Sequence, residues 1–306
     1  MTGRCGVSQR LIPLREFVAE YKVEFSIAVL AALLTGLLAY AATVQAFRRW
    51  SRLGYRIQRL LTDENIVCMY QPIVDLKSGV AIGCEVLMRL RDGAELIYPD
   101  QVLPLVFAQN LSGKLDHTVV RKAIRELSDC LPVLPGFKVA FNFFPENIRH
   151  EQLSDLFDVA LKKAQPRGFQ FELEVLERYY KREMLQEIAQ LKHAGFLISV
   201  DDFGTGYSNL GSVKAMAPDL LKIDKSFVFE MQDASVRSSL IPEIVGIARA
   251  VGALVIAEGV EYEEQRRMLL GFGVDFGQGY WFARPMGIDS FTRFLQDGTE
   301  AGKATG

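Results

Sequence analysis

Short apolar runs recur along the chain, and six of them close on an oxygen-bearing side chain. Val80 to Cys84 leads into Glu85, Lys138 to Phe141 into Asn142, and Gln170 to Leu173 into Glu174. Leu197 to Val200 leads into Asp201 and Asp202, Leu220 to Ile223 into Asp224, and Leu254 to Ala257 into Glu258. Runs of this length and composition predict buried strands, with a last strand near 279–282. Between them lie stretches of helical period at 153–164, 181–194, 236–251 and 263–272. Strands alternating with helices predict βαβ units and a mainly parallel sheet. Closed into a barrel, parallel strands bring their C-terminal ends to one rim, so six polar ends become one site.

The residue types on that rim select a chemistry. Acids and one amide are hard oxygen donors that suit Mg²⁺ or Mn²⁺, whereas zinc more often takes His or Cys. The three histidines, His117, His150 and His193, end no predicted strand, and Ser208 sits outside any GxSxG elbow. Asp201-Asp202 is the most specific local signal. In a regular strand the two point to opposite faces, so both serve one site only where the strand ends and the chain turns, at Phe203-Gly204-Thr205-Gly206. Such a pair suits the bridging of two cations, an arrangement used to activate water for in-line attack at phosphorus.

Charge adds a second element. Residues 25–47 hold no ionised side chain, enough chain to cross a bilayer core of roughly 30 Å as a helix. Glu24 abuts this stretch and Arg48, Arg49, Arg52, Arg56 and Arg59 follow it with no acid among them, a pattern unlike a cleaved signal peptide. The positive-inside rule then predicts a single-pass membrane protein whose large C-terminal part is cytoplasmic. Residues 61–306 carry 26 Lys+Arg against 34 Asp+Glu, which disfavours general nucleic-acid binding. Of the four cysteines, Cys68, Cys84 and Cys130 have no metal-ligand spacing and read as reduced thiols, while Cys5 falls on the far side of the span, free to pair between chains. The expected divisions are a short extracytoplasmic tail (1–24), a transmembrane helix (25–47), a basic juxtamembrane linker (48–64), a catalytic domain (65–290) and a C-terminal tail (291–306).

The ordered blocks Tyr70-Gln-Pro-Ile-Val74, Glu85-Val-Leu-Met-Arg89, Asn142, Glu174-Val-Leu-Glu177, Asp201 to Ser208, Leu221-Lys-Ile-Asp224, Ala257-Glu-Gly-Val-Glu261 and Gln278-Gly-Tyr280 resemble those of EAL-domain cyclic-di-GMP phosphodiesterases. The resemblance covers about residues 66–286. It implies a TIM-like (β/α)8 barrel with one reversed strand, a homodimer, and hydrolysis of cyclic di-GMP to linear pGpG at two divalent cations, Mg²⁺ or Mn²⁺. By matching position, Glu85, Asn142, Glu174 and Asp201 resemble the ligands of one metal, and Asp201, Asp202 and Glu258 those of the second. Lys222, Asp224 and Glu258 resemble catalytic groups. Gln71, Leu87, Arg89, Gln278 and Pro285 resemble substrate contacts, and Glu177 the anchor of the loop after the paired aspartates. Val86, Leu176 and Asn209 depart from the family pattern without removing a ligand. The alternative the resemblance allows is a weak or inactive module that binds cyclic di-GMP or docks a protein.

Overall fold

The computed structural model describes residues 22–132, 134–164, 168–176, 182–204, 210–233 and 240–297. They fall into two compact units, residues 1–56 and 57–306. Helix α1 (Lys22–Leu60) carries the first. Its segment Lys22–Gln45, whose most apolar 18 residues have mean hydropathy 2.2, is long and apolar enough to cross a membrane. The segment's serine and threonine hydroxyls are satisfied within the helix, Ser26 Oγ donating to Lys22 O (2.7 Å), Thr35 Oγ1 to Ala31 O (2.8 Å) and Thr43 Oγ1 to Tyr40 O (2.8 Å), so they suit an apolar surrounding.

The second unit is the barrel. In chain order it holds β1 (Ile66–Asp75), β2 (Ala81–Asp92), β3 (Glu95–Ile97), α2 (Pro99–Ala108), α3 (Ser112–Cys130), β4 (Lys138–Asn142), α4 (His150–Ala164), β5 (Gln170–Leu176) and α5 (Met184–His193). There follow β6 (Leu197–Phe203), α6 (Leu210–Met216), β7 (Leu220–Ile223), α7 (Lys225–Phe229), α8 (Ile241–Val251), β8 (Leu254–Ala257), α9 (Glu263–Gly271), β9 (Phe276–Gly277) and α10 (Ile288–Asp297). The sheet order is β1-β9-β8-β7-β6-β5-β4-β2, and pairing of β1 with β2 closes eight strands into a ring, with β3 appended to β2. Strand β1 runs antiparallel to both its neighbours, and the remaining ring pairs are parallel. A reversed first strand follows from its connection. Only residues 76–80 join β1 to β2, too few for the crossover a parallel pair requires. Asp75 Oδ1 holds that turn, accepting from Lys77 N (3.0 Å) and Ser78 N (2.7 Å).

Alternation along each strand separates bore from helix layer. In β5, Phe171 packs on Phe157 of α4 (centroids 4.9 Å), which in turn meets Phe196 (4.9 Å), so Glu172 and Glu174 take the opposite, bore-facing side. Ile73, Ala140, Leu220, Ile256 and Phe276 pack together as the apolar filling of the bore.

Several boundaries differ from the sequence expectation. The last strand is Phe276–Gly277, not 279–282. The aromatic run Tyr280-Trp281-Phe282 has strand propensity, but Phe282 N and Ala283 N both donate to Gly279 O (3.1 Å), making a turn. The segment expected as a linker is helical to Leu60, with Ile57 and Leu61 buried in the barrel unit. The expected C-terminal tail begins inside α10, where Phe291 is fully buried and stacked on Tyr70 (5.6 Å). Of the cysteines, Cys68 and Cys84 are buried, Cys130 is exposed, and Cys5 lies outside the described residues. Burial pushes the Cys68 thiol up to about 12, which leaves it inert as a nucleophile.

Candidate active site

The barrel gathers the predicted polar positions, though not all at strand ends. Glu85 lies in mid-strand, since β2 continues to Asp92. It faces the rim because it sits opposite Gln71 of the reversed β1 and beside Ala140 of β4. Asn142 and Glu174 are register partners on β4 and β5. Strand β6 continues past the paired aspartates to Phe203, correcting the expected strand end. A bulge does the work instead: Val200 pairs with Leu221 and Phe203 with Ile223, so Asp201 and Asp202 together oppose Lys222. Asp202 adopts φ +55°, a left-handed turn that brings both carboxylates to one side. Carboxylate oxygens of Asp201, Asp202 and Glu258 lie within 4.8 Å of one another.

Lys222 stands at the centre with its side chain only 1% exposed. Its Nζ is 2.7 Å from Glu174 Oε1, 2.7 Å from Glu258 Oε1, 3.2 Å from Asp201 Oδ1 and 3.7 Å from Glu85 Oε2. Amides complete the cluster. Asn142 Nδ2 donates to Glu85 Oε1 (2.7 Å), and Gln278 Nε2 donates to Glu85 Oε2 (2.6 Å) and Gln71 Oε1 (3.0 Å). Gln71 Nε2 donates to Ala283 O (3.3 Å), and a bridge between Tyr70 and Met286 draws the segment holding Pro285 beside Gln71. Asp224 instead turns to Ser226, whose backbone N donates to its Oδ1 (3.0 Å), and so caps α7. Arg89 donates to Met88 O (2.7 Å) and stacks over the Tyr98 ring (4.9 Å), while Leu87, Glu85 and Asn142 line a cavity of about 940 Å³ beside the rim. Glu177 and the loop 205–209 lie outside the described residues.

Burial sets the electrostatics. Burial, then the nearby Glu85 carboxylate, pushes Glu174 well above the ordinary carboxyl range against the pull of Lys222. Burial likewise raises Glu258 to about 7. Glu85 is also opposed by burial, but Lys222, Gln278 and Asn142 together hold it below its ordinary value. Lys222 loses hydration too, yet Asp201, Glu174, Glu258 and Glu85 raise it well above a free lysine. Glu174 and Glu258 therefore hold protons in the folded, metal-free state that the unfolded chain releases. Their contribution to stability is complete below their ordinary value of 4.5 and is lost as pH rises through about 7 for Glu258. Glu85, with its lowered value, loses its contribution only in more acid solution. The expected result is a lower thermal midpoint at pH 8 than at pH 6 without divalent cations, and a smaller difference at saturating Mg²⁺. A metal-free midpoint that is flat or rises over this interval contradicts that charge arrangement.

Sequence reading missed two side chains here. Glu172 is fully buried one layer below Glu174, and its signal was the period of two, since residues 172 and 174 share a strand face. Gln265, 1% exposed on α9, carried no signal of its own.

A family model for the EAL domain matches residues 55–285. The chain belongs to the EAL-domain family. This EAL chain is 33% identical over 249 residues to the probable cyclic di-GMP phosphodiesterase PdeN of Escherichia coli K12, covering 80% of this chain and 48% of that one. It is 31% identical to the probable cyclic di-GMP phosphodiesterase PdeB of the same organism, covering 86% and 51%. The chain thus spans about half the length of these curated relatives. Among solved structures it superposes on the PaMucR phosphodiesterase in its c-di-GMP complex with TM-score 0.70 and 30% identity, covering 78% of this chain and 99% of that chain. The EAL enzyme Bd1971 with bound cAMP and cyclic-di-GMP gives TM-score 0.72 at 26% identity, covering 88% and 75%.

Proposed function

We propose that this EAL barrel hydrolyses one phosphodiester of cyclic di-GMP to linear pGpG and so lowers the level of that second messenger. The observation that carries the reading is a buried excess of carboxylate. Four acids, Glu85, Glu174, Asp201 and Glu258, surround the Lys222 ammonium, and a fifth, Asp202, joins Asp201 and Glu258. Among the described residues Glu174 Oε2 is buried without a hydrogen-bond donor, and Glu174 Oε1 and Asp201 Oδ1 have none beyond the Lys222 ammonium. Hard divalent cations, Mg²⁺ or Mn²⁺, fit that donor set. Glu85, Asn142, Glu174 and Asp201 would hold one, with Asp201 shared to a second held by Asp202 and Glu258. Bound there, two such ions supply a more acidic water and neutralise charge on the scissile phosphate.

The chain's own groups do the rest. Glu258 takes the proton of the attacking water, and Lys222 orients that water and offsets charge as the bond to the leaving oxygen breaks. Arg89 exchanges Met88 O for a phosphate oxygen, a contact its planar fork suits. Gln71, Leu87, Gln278 and Pro285 line the substrate, and Asp224 fixes the helix start that follows Lys222. Residues 25–47 anchor the chain in the membrane, the basic stretch after them lies on the cytoplasmic side, and the barrel pairs as a homodimer.

The full chain in detergent, given cyclic di-GMP and saturating Mn²⁺, is expected to release pGpG and to stop when a chelator is added. Binding of the dinucleotide without pGpG release would sink the enzyme reading and leave a binding module.

A further inference from the structure

We propose that Gln265 is a positioning residue that clamps the Glu258 loop against α7, and so sets the divalent-ion affinity of the site. The inference rests on the metal-binding reading of Glu258 above. Gln265 is 1% exposed, and each end of its amide is used. Its Oε1 accepts from Glu261 N (2.8 Å) and Tyr262 N (3.1 Å), both in the loop 258–262 that joins β8 to α9. Its Nε2 donates to Val228 O (3.2 Å) in α7, the helix that begins directly after Lys222, Ile223 and Asp224. One side chain therefore ties the segment carrying Glu258 to the segment carrying Lys222.

That loop has no slack in which to absorb the loss of the tie. At Gly259, φ +71°, an added Cβ would lie 2.5 Å from Lys225 Cβ, so the loop touches the start of α7. On its other side Val260 N donates to Gln278 O (3.1 Å) and Val260 O accepts from Trp281 N (2.9 Å), while a Cβ at Gly279 would come within 2.2 Å of Val260 O. The loop is wedged between α7 and the turn after β9, and Gln265 closes the third side.

The chemistry demands an amide. One oxygen must take two backbone N–H groups while the other terminus donates to a carbonyl. Glutamate keeps the acceptor and, when ionised, turns a second oxygen toward Val228 O. Leucine leaves the Glu261 and Tyr262 N–H groups without their side-chain acceptor and removes the donor to Val228 O, so the loop is freed to move toward water. Metal ligands tolerate displacements of only about 0.2 Å, and loss of a supporting group typically costs 10–100-fold in metal affinity.

The test uses the full chain and Mn²⁺ alone, with free Mn²⁺ read by electron paramagnetic resonance. Gln265→Leu and Gln265→Glu at pH 8 are each expected to weaken Mn²⁺ binding about 10–100-fold. Arg266→Ala serves as the control. It removes Arg266 Nη1 to Leu76 O (2.6 Å) and the pair with Glu263 (2.8 Å) on the same helix, away from the 258–262 loop. It is expected to lower the thermal midpoint and leave Mn²⁺ binding as in the wild type. Should Gln265→Leu fail to fold, Gln265→Glu decides the matter, since it preserves size and both acceptor contacts. Wild-type Mn²⁺ binding in the Gln265 variants overturns the proposal, as does an equal loss in Arg266→Ala. A wild-type chain that binds Mn²⁺ but releases no pGpG defeats the hydrolysis reading and leaves the clamp standing. A chain that binds no Mn²⁺ defeats both.

Discussion

Lys222→Met is expected to destabilise the metal-free protein at pH 8 by about 3–5 kcal/mol, tighten its hold on divalent cations, and abolish turnover. Lys222 Nζ is the cation nearest to four carboxylates, at 2.7 to 3.7 Å, and is almost wholly buried. Removing it leaves those acids facing one another in a medium that screens poorly. They respond by taking up protons, so the loss should shrink toward pH 5, where protons substitute for the ammonium. Divalent cations answer the same need. In the wild type they must share Glu174 and Glu258 with the ammonium, and in the variant they need not. Mn²⁺ should therefore bind Lys222→Met more tightly and restore most of its stability, while activity stays lost for want of a group to orient water. Denaturant unfolding at pH 5 and pH 8, with and without Mn²⁺, reads all three effects. Equal stability of variant and wild type without metal at pH 8 would show that the ammonium does not hold the cluster together.

Glu258→Gln is expected to lower turnover about 10²–10⁴-fold with little loss of cyclic di-GMP binding. Glutamine keeps the shape and an oxygen for Lys222, but it has no basic oxygen for a proton and is a poorer metal ligand. The same substitution should not weaken the metal-free fold at pH 8. Burial already raises Glu258 to about 7, so its ionised form is held there against desolvation, and a neutral isostere relieves that cost. The signature is a fall in activity with a thermal midpoint at pH 8 equal to or above that of wild type. If turnover survives within a few-fold, another group takes the proton. A collapse in stability would mean that the Glu258 charge is structural, contrary to its raised proton affinity.

Much of the site was legible because it obeys strand periodicity. Glu174, Asn142 and Glu258 follow short apolar runs whose alternation puts them on the bore side, and the poverty of histidine leaves hard oxygen donors as the candidate ligands. The Asp201-Asp202 pair stands out in the sequence, but the means of joining both carboxylates to one site does not. A strand end was expected, whereas a bulge with Asp202 at φ +55° keeps β6 running to Phe203. Bulges depend on pairing with a neighbour, Lys222 of β7 in this case, and a single strand's pattern cannot show them. The apolar run that stops at Glu85 predicts a strand end, yet β2 continues through Arg89 to Asp92 against the reversed β1. Tyr280-Trp281-Phe282 misled in the opposite way, local propensity yielding to a turn that shapes the rim beside Gln278.

From its own order of residues the chain determined the alternation of strands and helices, the apolar helix before the barrel, and the kind of chemistry its carboxylates suit. These depend on period, composition and charge, which are properties of contiguous segments. Tertiary structure alone decided that Lys222 faces Glu174, Glu258, Asp201 and Glu85 at once, that Asp224 caps a helix instead, and that Gln265 ties the 258–262 loop to α7. The surroundings of Lys222 come from closure of the ring, which brings residues of β2, β5 and β6 and the end of β8 within a few ångströms of it. Separation along the chain carries no information about such contacts, because strand register and barrel closure are fixed by the packing of every strand against its neighbours.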